Sequence, residues 1–269
     1  MAFLIKLTIT LLAGIVFLLQ KSSAAECSNW EKPVLTADYT PQGNVVFSAG
    51  MDTYETGNSS STKVLIAVYD IYGFNPGPNI MQICDRLGEY GYRVVMPDFF
   101  HGEPWRREHY PYPTDDEFRN FVKATSWNES VREDLGLVLQ EYKRQNVTEF
   151  GIFGFCFGGK ITAHALDTYS SDIKVGAQFH PAGADVYDAT RIKRPAILLP
   201  GANDPDMTDY CNIINILLGQ GSCVYHHFTD VNHGFSGGTA NWANDTIRTR
   251  AEEAVGMFEQ FLCDKFPAI

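Results

Sequence analysis

The chain has 269 residues, with 21 Lys and Arg against 32 Asp and Glu, and a formal net charge of −11. An acidic surplus of that size argues against nucleic acid and anionic membrane as partners, since both repel it. With 45% hydrophobic residues and no biased tract, the composition is that of a globular chain, long enough for one domain with a sizeable core.

The N-terminus reads as a secretory signal. Lys6 supplies a positive start, 7–19 is an apolar run without acidic residues, and Ser23-Ala24-Ala25 is a small-residue cleavage site. The apolar run is short for a membrane span, so cleavage is expected over a signal anchor, with residues 1–25 removed and no membrane insertion afterwards. The expectation is a secreted, extracellular chain with a single α/β domain over 26–269. Four Asn-x-Ser/Thr triplets, at Asn58, Asn128, Asn146 and Asn244, are glycosylation acceptors that suit this route. All six cysteines lie after the signal: Cys27, Cys84, Cys156, Cys211, Cys223 and Cys263. In an oxidising compartment most should pair. Cys211 and Cys223 flank the Gly219-Gln220-Gly221 turn and are the expected bridge. If Cys156 stays free, at least one further cysteine is unpaired.

Taken in chain order, a strand is expected over 45–49, then a polar hairpin tip at 57–62. Short apolar runs rich in β-branched and aromatic residues follow at 63–69, 92–96, 148–153, 175–179, 196–200 and 223–228. Near-continuous hydrophobicity is what a strand covered on both faces requires, so a mostly parallel central sheet is expected. Helical periodicity alternates with these runs at 79–89, 129–145, 158–168, 208–218 and 245–265. In the last, Ile247, Ala251, Ala254, Val255, Phe258, Phe261 and Leu262 share one face. Strands alternating with helices imply βαβ crossovers and a doubly wound α/β architecture of about seven to eight strands, with helices on both faces. The stretch 100–126, with Trp105, Tyr110 and Tyr112 among prolines and charges, fits neither period and reads as a loop or cap beside a site. No metal-ligand spacing joins His101, His109, His164, His180, His226 and His227, and no metal or cofactor is assigned.

Chemistry concentrates in Gly154-Phe155-Cys156-Phe157-Gly158, which follows an apolar strand and has the form of a nucleophile elbow with cysteine at its centre. Flanking glycines are needed because a sharp strand-to-helix turn crowds both neighbours of a strained central residue. The turn sets the thiol at the positive end of the next helix. A buried cysteine in a glycine-rich strand end is the plainer alternative. A thiol nucleophile also needs a base, and the base needs a carboxylate to orient it. Asp204 follows the run at 196–200 and His233 follows the run at 223–228, both where an open sheet builds its sites. The order Cys156, Asp204, His233 is the nucleophile–acid–histidine order of α/β-hydrolases. Asp206 competes for the acid's role, and Asp204 alone reads equally as a turn aspartate in Asn-Asp-Pro.

From about residue 45 to 261 the chain resembles the dienelactone hydrolase, or carboxymethylenebutenolidase, family. The resemblance is carried by Gly154-Phe-Cys156-Phe-Gly158-Gly159, Asp204 after Gly201-Ala-Asn203, His233-Gly-Phe235, Met96-Pro-Asp98 and Asp70-Ile-Tyr-Gly73-Phe-Asn75. It implies cleavage of an activated ester or enol lactone through a Cys156 acyl-enzyme. It also implies an oxyanion hole from the backbone N–H groups of Ile71 and Phe157. Asp70 stands where bacterial members carry a glutamate that contacts the resting thiol, one methylene shorter. Those members follow the histidine with a serine and then a substrate-gathering arginine; here Gly234 and Ser236-Gly237-Gly238 occupy that stretch, and no arginine occurs before Arg248. Arg106, Arg107 and Arg119 are the remaining candidate cations. A neutral ester, thioester or lactone therefore fits better than a dicarboxylate. The expected assembly is a monomer or weak dimer. A non-catalytic binding protein on the same scaffold is the competing reading if Cys156 is consumed in a disulfide. A thiol redox protein ranks last, because no Cys-x-x-Cys pair exists.

Overall fold

A computed structural model of the chain describes residues 30–74, 77–106 and 116–268. The expected signal at 1–25, Cys27, Arg107, His109, Tyr110 and Tyr112 lie outside those residues. The described chain forms an eight-stranded sheet of strands β1 (Asn44–Ser48), β2 (Met51–Gly57), β3 (Lys63–Val68), β4 (Arg93–Pro97), β5 (Glu149–Phe155), β6 (Ile173–Phe179), β7 (Ala196–Leu199) and β8 (Cys223–Tyr225). Their spatial order is β1-β2-β4-β3-β5-β6-β7-β8. From β4 to β8 all pairs are parallel, and β1 and β2 add an antiparallel hairpin at one edge. The continuous apolar runs are explained by burial. In β3, Val64 to Val68 are shielded on every side, and Phe150, Ile152, Phe153 and Phe155 of β5 are equally enclosed.

The helices are α1 (Asn79–Glu89), α2 (Asp116–Ala124), α3 (Arg132–Arg144), α4 (Phe157–Thr168), α5 (Val186–Ala189), α6 (Thr208–Leu218) and α7 (Asp245–Lys265). The crossover from β3 to β4 runs one way along the sheet, and those from β4 to β5 and β5 to β6 run the other. Right-handed connections in opposite directions place their helices on opposite faces. Side-chain contacts agree. Arg86 of α1 pairs with Glu259 of α7 on one face, and Tyr169, which ends α4, donates its hydroxyl to Arg132 O at the start of α3 on the other. Phe258 of α7 lies with its ring centroid 5.3 Å from Phe153 and 5.7 Å from Phe179, which fixes α7 across the middle of the sheet. The direction reverses between β3 and β5, so the crevice at their carboxyl ends is where a site is built.

Several sequence expectations need correction. The segment 57–62 is not a hairpin tip: the hairpin turns at Ala49 and Gly50, with Ser48 opposite Met51. The strand β2, whose exposed Asp52 and half-buried Glu55 obscure its alternation, has no counterpart among the expected strands and pairs with β1 and β4. The last strand stops at Tyr225 instead of Phe228, which makes only an isolated bridge to Gly201. Within 100–126, residues 116–124 form helix α2, which has no buried residue and so gives little core signal. Its Phe121 leans on Phe100 and Trp105, with ring centroids 5.2 and 5.4 Å away. The helix expected at 129–145 is α3 preceded by a π-turn over Trp127–Val131.

Candidate active site

Cys156 sits between the end of β5 and the first turn of α4, with φ 53° and ψ −110°. A side chain in that left-handed geometry is strained, and the surrounding chain holds it there. Its N–H donates to Phe179 O and its carbonyl accepts from Gly159 N and Ala182 N, each at 3.0 Å. The glycines have steric causes. A Cβ on Gly154 would stand 2.0 Å from Gly158 O, one on Gly158 2.1 Å from Val68 O, and one on Gly159 2.6 Å from Pro181 Cβ. The elbow is therefore wedged between β3 and β6, and any side chain at these three positions would push it apart.

Asp204 and His233 come together from the loops after β7 and β8. The His233 Nδ1–H donates to Asp204 Oδ1 at 2.5 Å, and Asp204 Oδ2 accepts from Gly201 N at 2.7 Å. Asn203 holds the base from behind, its Oδ1 accepting the His233 backbone N–H at 2.6 Å. On its other side His233 shares the cavity wall with the Cys156 thiol. Burial works against a proton on His233, but the interactions with Asp204 and Cys156 outweigh it and push its pKa up to about 10. Asp206 is elsewhere engaged: it accepts from Thr208 N, Thr208 Oγ1 and the Tyr225 hydroxyl, and serves the start of α6. Asp204 is thus the carboxylate that meets the histidine.

Cys156 and His233 open on a cavity of about 480 Å³, lined also by Asp70, Ile71, His180 and Phe235. Asp70 is buried; its Oδ1 accepts from Tyr72 N at 3.0 Å and its Oδ2 from Gly238 N at 2.9 Å. The turn that carries Ile71 is fixed further by Gly73 N to Asp70 O and Trp105 N to Ile71 O. Phe157 is the first residue of α4, so its N–H has no partner within the helix. Ile71 lines the cavity together with Cys156, and Phe157 follows Cys156 directly in the chain; these carry the two amides expected as an oxyanion hole.

Among the described residues, no lysine or arginine lines the cavity. Arg119 pairs with Asp116 on the surface of α2, Arg106 is exposed, and Arg248 binds Trp242 O and Asp245. Cys211 and Cys223 are bridged, with Cα atoms 5.4 Å apart. Cys263 is also disulfide-bonded, its partner lying outside the described residues, while Cys84 and Cys156 are free and buried. Asn58, Asn128, Asn146 and Asn244 are all exposed, and Asn244 lies on the rim of the cavity while its side chain caps α7. Among the described residues no group of His, Cys, Asp and Glu is arranged to hold a metal ion, and no helix is long and apolar enough to cross a membrane. Sequence reasoning missed His180 and Asn203. His180 had a readable signal, a polar residue directly after an apolar strand, on the side where sites form.

The family model of the dienelactone hydrolase family matches residues 51–262. A carboxymethylenebutenolidase homologue of Xenopus tropicalis is 32% identical over 167 residues, covering 60% of this chain and 64% of that one. The chain thus matches just under two thirds of that relative's length. An uncharacterised AIM2 family protein of Schizosaccharomyces pombe is 28% identical over 234 residues, covering 83% and 91%. Among solved structures, a dienelactone hydrolase-like promiscuous phosphotriesterase from metagenomic libraries superposes with a TM-score of 0.54 at 18% identity, covering 84% and 96%. A Pyrococcus furiosus esterase does so with 0.59 at 13% identity, covering 87% and 97%. The chain has the α/β-hydrolase fold and belongs to the dienelactone hydrolase family.

Proposed function

We propose that the protein cleaves an uncharged ester, thioester or lactone through a covalent intermediate on Cys156. The observation that carries this reading is His233 held between Asp204 and a free Cys156 at a left-handed elbow. His233 Nε2 takes the thiol proton, and the sulfur attacks the substrate carbonyl carbon. The carbonyl π pair moves onto oxygen, where the Ile71 and Phe157 N–H groups receive it. Collapse of that adduct breaks the bond to the leaving oxygen or sulfur, which takes the proton from His233. Water then loses a proton to His233 and attacks the thioester. The second collapse releases the acid, and the proton returns from His233 to the Cys156 sulfur. Asp204 keeps the imidazole oriented and stabilises its charged form throughout.

A cavity lined by no lysine or arginine among the described residues supports an uncharged substrate over a dicarboxylate. A free Cys156 supports catalysis over the binding-only alternative. Secretion is part of the same proposal: two disulfide-bonded sites and four exposed glycosylation triplets suit an oxidising, extracellular setting. The test is turnover of p-nitrophenyl esters by the purified protein. Iodoacetamide treatment and Cys156→Ala should each abolish it, and unchanged turnover in both would remove the reading.

A further inference from the structure

Among the described residues, His180 is the one cavity-lining imidazole that the triad leaves unused. It follows β6 directly, is fully buried, and holds φ at +34°, a conformation that only its surroundings impose. Neither of its ring nitrogens has a hydrogen-bond partner among the described residues. Buried polar groups are almost always satisfied, so two unpartnered nitrogens on a ring that lines a cavity mark a place for a ligand atom. The ring stands at 72° to His233, centroids 5.0 Å apart, and lies 5.7 Å from Phe235. Burial, followed by the neighbouring His233, keeps its pKa well below that of an ordinary histidine, so it meets a substrate as a neutral imidazole with one donor and one acceptor.

Its position is set relative to the nucleophile. Phe179 O accepts the Cys156 N–H and Ala182 N donates to Cys156 O, so the residues on either side of His180 are fastened to the backbone of Cys156. The His180 N–H donates to Leu199 O at 2.9 Å, which fixes the same segment to β7. Gly237 packs close to the ring without a side chain: a Cβ there would come within 3.4 Å of His180 Nε2 and 2.7 Å of Asp70 Oδ2. A polar group held at a fixed offset from the nucleophilic sulfur reads whatever that sulfur carries, which is the acyl group.

We propose that His180 is a specificity-determining contact of this site, its imidazole N–H donating to a second oxygen on the acyl side of the substrate. That oxygen is an ether, hydroxyl or keto oxygen beside the scissile carbonyl, so oxygenated esters and lactones are preferred over plain alkyl ones. The inference rests on the ester-cleaving reading.

The experiment compares p-nitrophenyl methoxyacetate with p-nitrophenyl butyrate, which share a leaving group and differ by an ether oxygen in place of a methylene. Each kcat/KM is divided by the ester's hydroxide-catalysed rate to remove intrinsic reactivity. The wild-type protein should favour methoxyacetate by about tenfold or more, as a site built to hydrogen-bond a substrate group does. His180→Phe should lower methoxyacetate cleavage more than butyrate cleavage and so erase that preference, and His180→Asn, which retains a donor, should keep part of it. A wild type without the preference, or an equal fall for both esters in both variants, overturns the proposal. If His180→Phe lacks a cooperative melting transition, His180→Asn decides by the same ratio. Butyrate cleavage without preference sinks this inference alone, whereas cleavage of neither ester sinks the ester reading and this inference with it.

Discussion

Asp70, on the turn after β3, accepts the backbone N–H of Gly238 at 2.9 Å across 168 positions of sequence. One buried carboxylate thereby fastens the turn that carries Ile71 to the loop that carries His233. The two halves of the proposed site, donor amide and base, are held by the same side chain. Its Oδ1 bond to Tyr72 N fixes the near half and its Oδ2 bond the far half.

Asp70→Ala should therefore act on geometry and stability together. Leaving two backbone N–H groups without acceptors, at least one of them buried, costs about 1–3 kcal/mol for the buried group. Urea denaturation should register that loss. Turnover should fall further than stability alone explains, because Ile71 and His233 lose their common anchor. Asp70→Asn retains one acceptor and should lie between the two proteins in both measurements. Full activity in Asp70→Ala would assign the residue to folding alone.

The charge on His233 yields a pH dependence of definite sign. Its folded pKa, about 10, lies above the ordinary histidine value of 6.5. The stability it contributes is complete below about pH 6.5 and is lost as pH rises towards 10. The melting temperature of wild type should thus decline more between pH 7 and 10 than that of His233→Gln. In the proposed acyl-enzyme the Cys156 sulfur is a thioester, so its share of the upward shift disappears. The profile of kcat, where deacylation limits, should then rise through a lower pKa than the one that closes kcat/KM on the alkaline side.

Much of this architecture is legible in the amino-acid sequence itself. The elbow is readable because Gly154, Gly158 and Gly159 have no alternative: each faces backbone or proline where a Cβ would sit. The parallel strands are readable because burial on both faces demands unbroken apolar runs. The strand β2 is not, since Asp52 and the half-buried Glu55 interrupt its pattern while Met51, Thr53 and Tyr54 are buried. Glu55 is retained there by Arg93 and the Tyr142 hydroxyl, partners that are distant in sequence. The helix α2 leaves no clear pattern because none of its residues is buried and only Phe121 leans on the core from outside. In the site, the order Cys156, Asp204, His233 is visible along the chain, whereas the bond from Gly238 to Asp70 depends on a three-dimensional meeting that no spacing encodes.

The bridge between Cys211 and Cys223 joins α6 to β8 across 12 positions. Closing a loop of that size in the unfolded chain stabilises the fold by about 3 kcal/mol in the chain-entropy account. The Cys211→Ala, Cys223→Ala double variant should lose stability of that order in chemical denaturation while keeping its ester turnover, since neither sulfur reaches the cavity. Lost turnover in a folded double variant would show that the bridge positions the His233 loop through β8.

Phe258 provides the test of how α7 holds the sheet. Its ring is fully buried against Phe153 of β5 and Phe179 of β6, the strands that lead into Cys156 and His180. Phe258→Ala removes the ring and leaves a cavity beneath both strand ends, a change that costs about 3–5 kcal/mol in a rigid core. Phe258→Leu retains most of the apolar volume and should cost well under half as much. Because Cys156 N and Ala182 N are bonded to this same pair of strand ends, slack in the core should appear at the elbow as well. Iodoacetamide labelling of Cys156 is the readout. It should change in Phe258→Ala at temperatures below its melting transition and remain near wild type in Phe258→Leu. Identical labelling in all three proteins would mean that the elbow is held by its own hydrogen bonds, independent of the helix behind it.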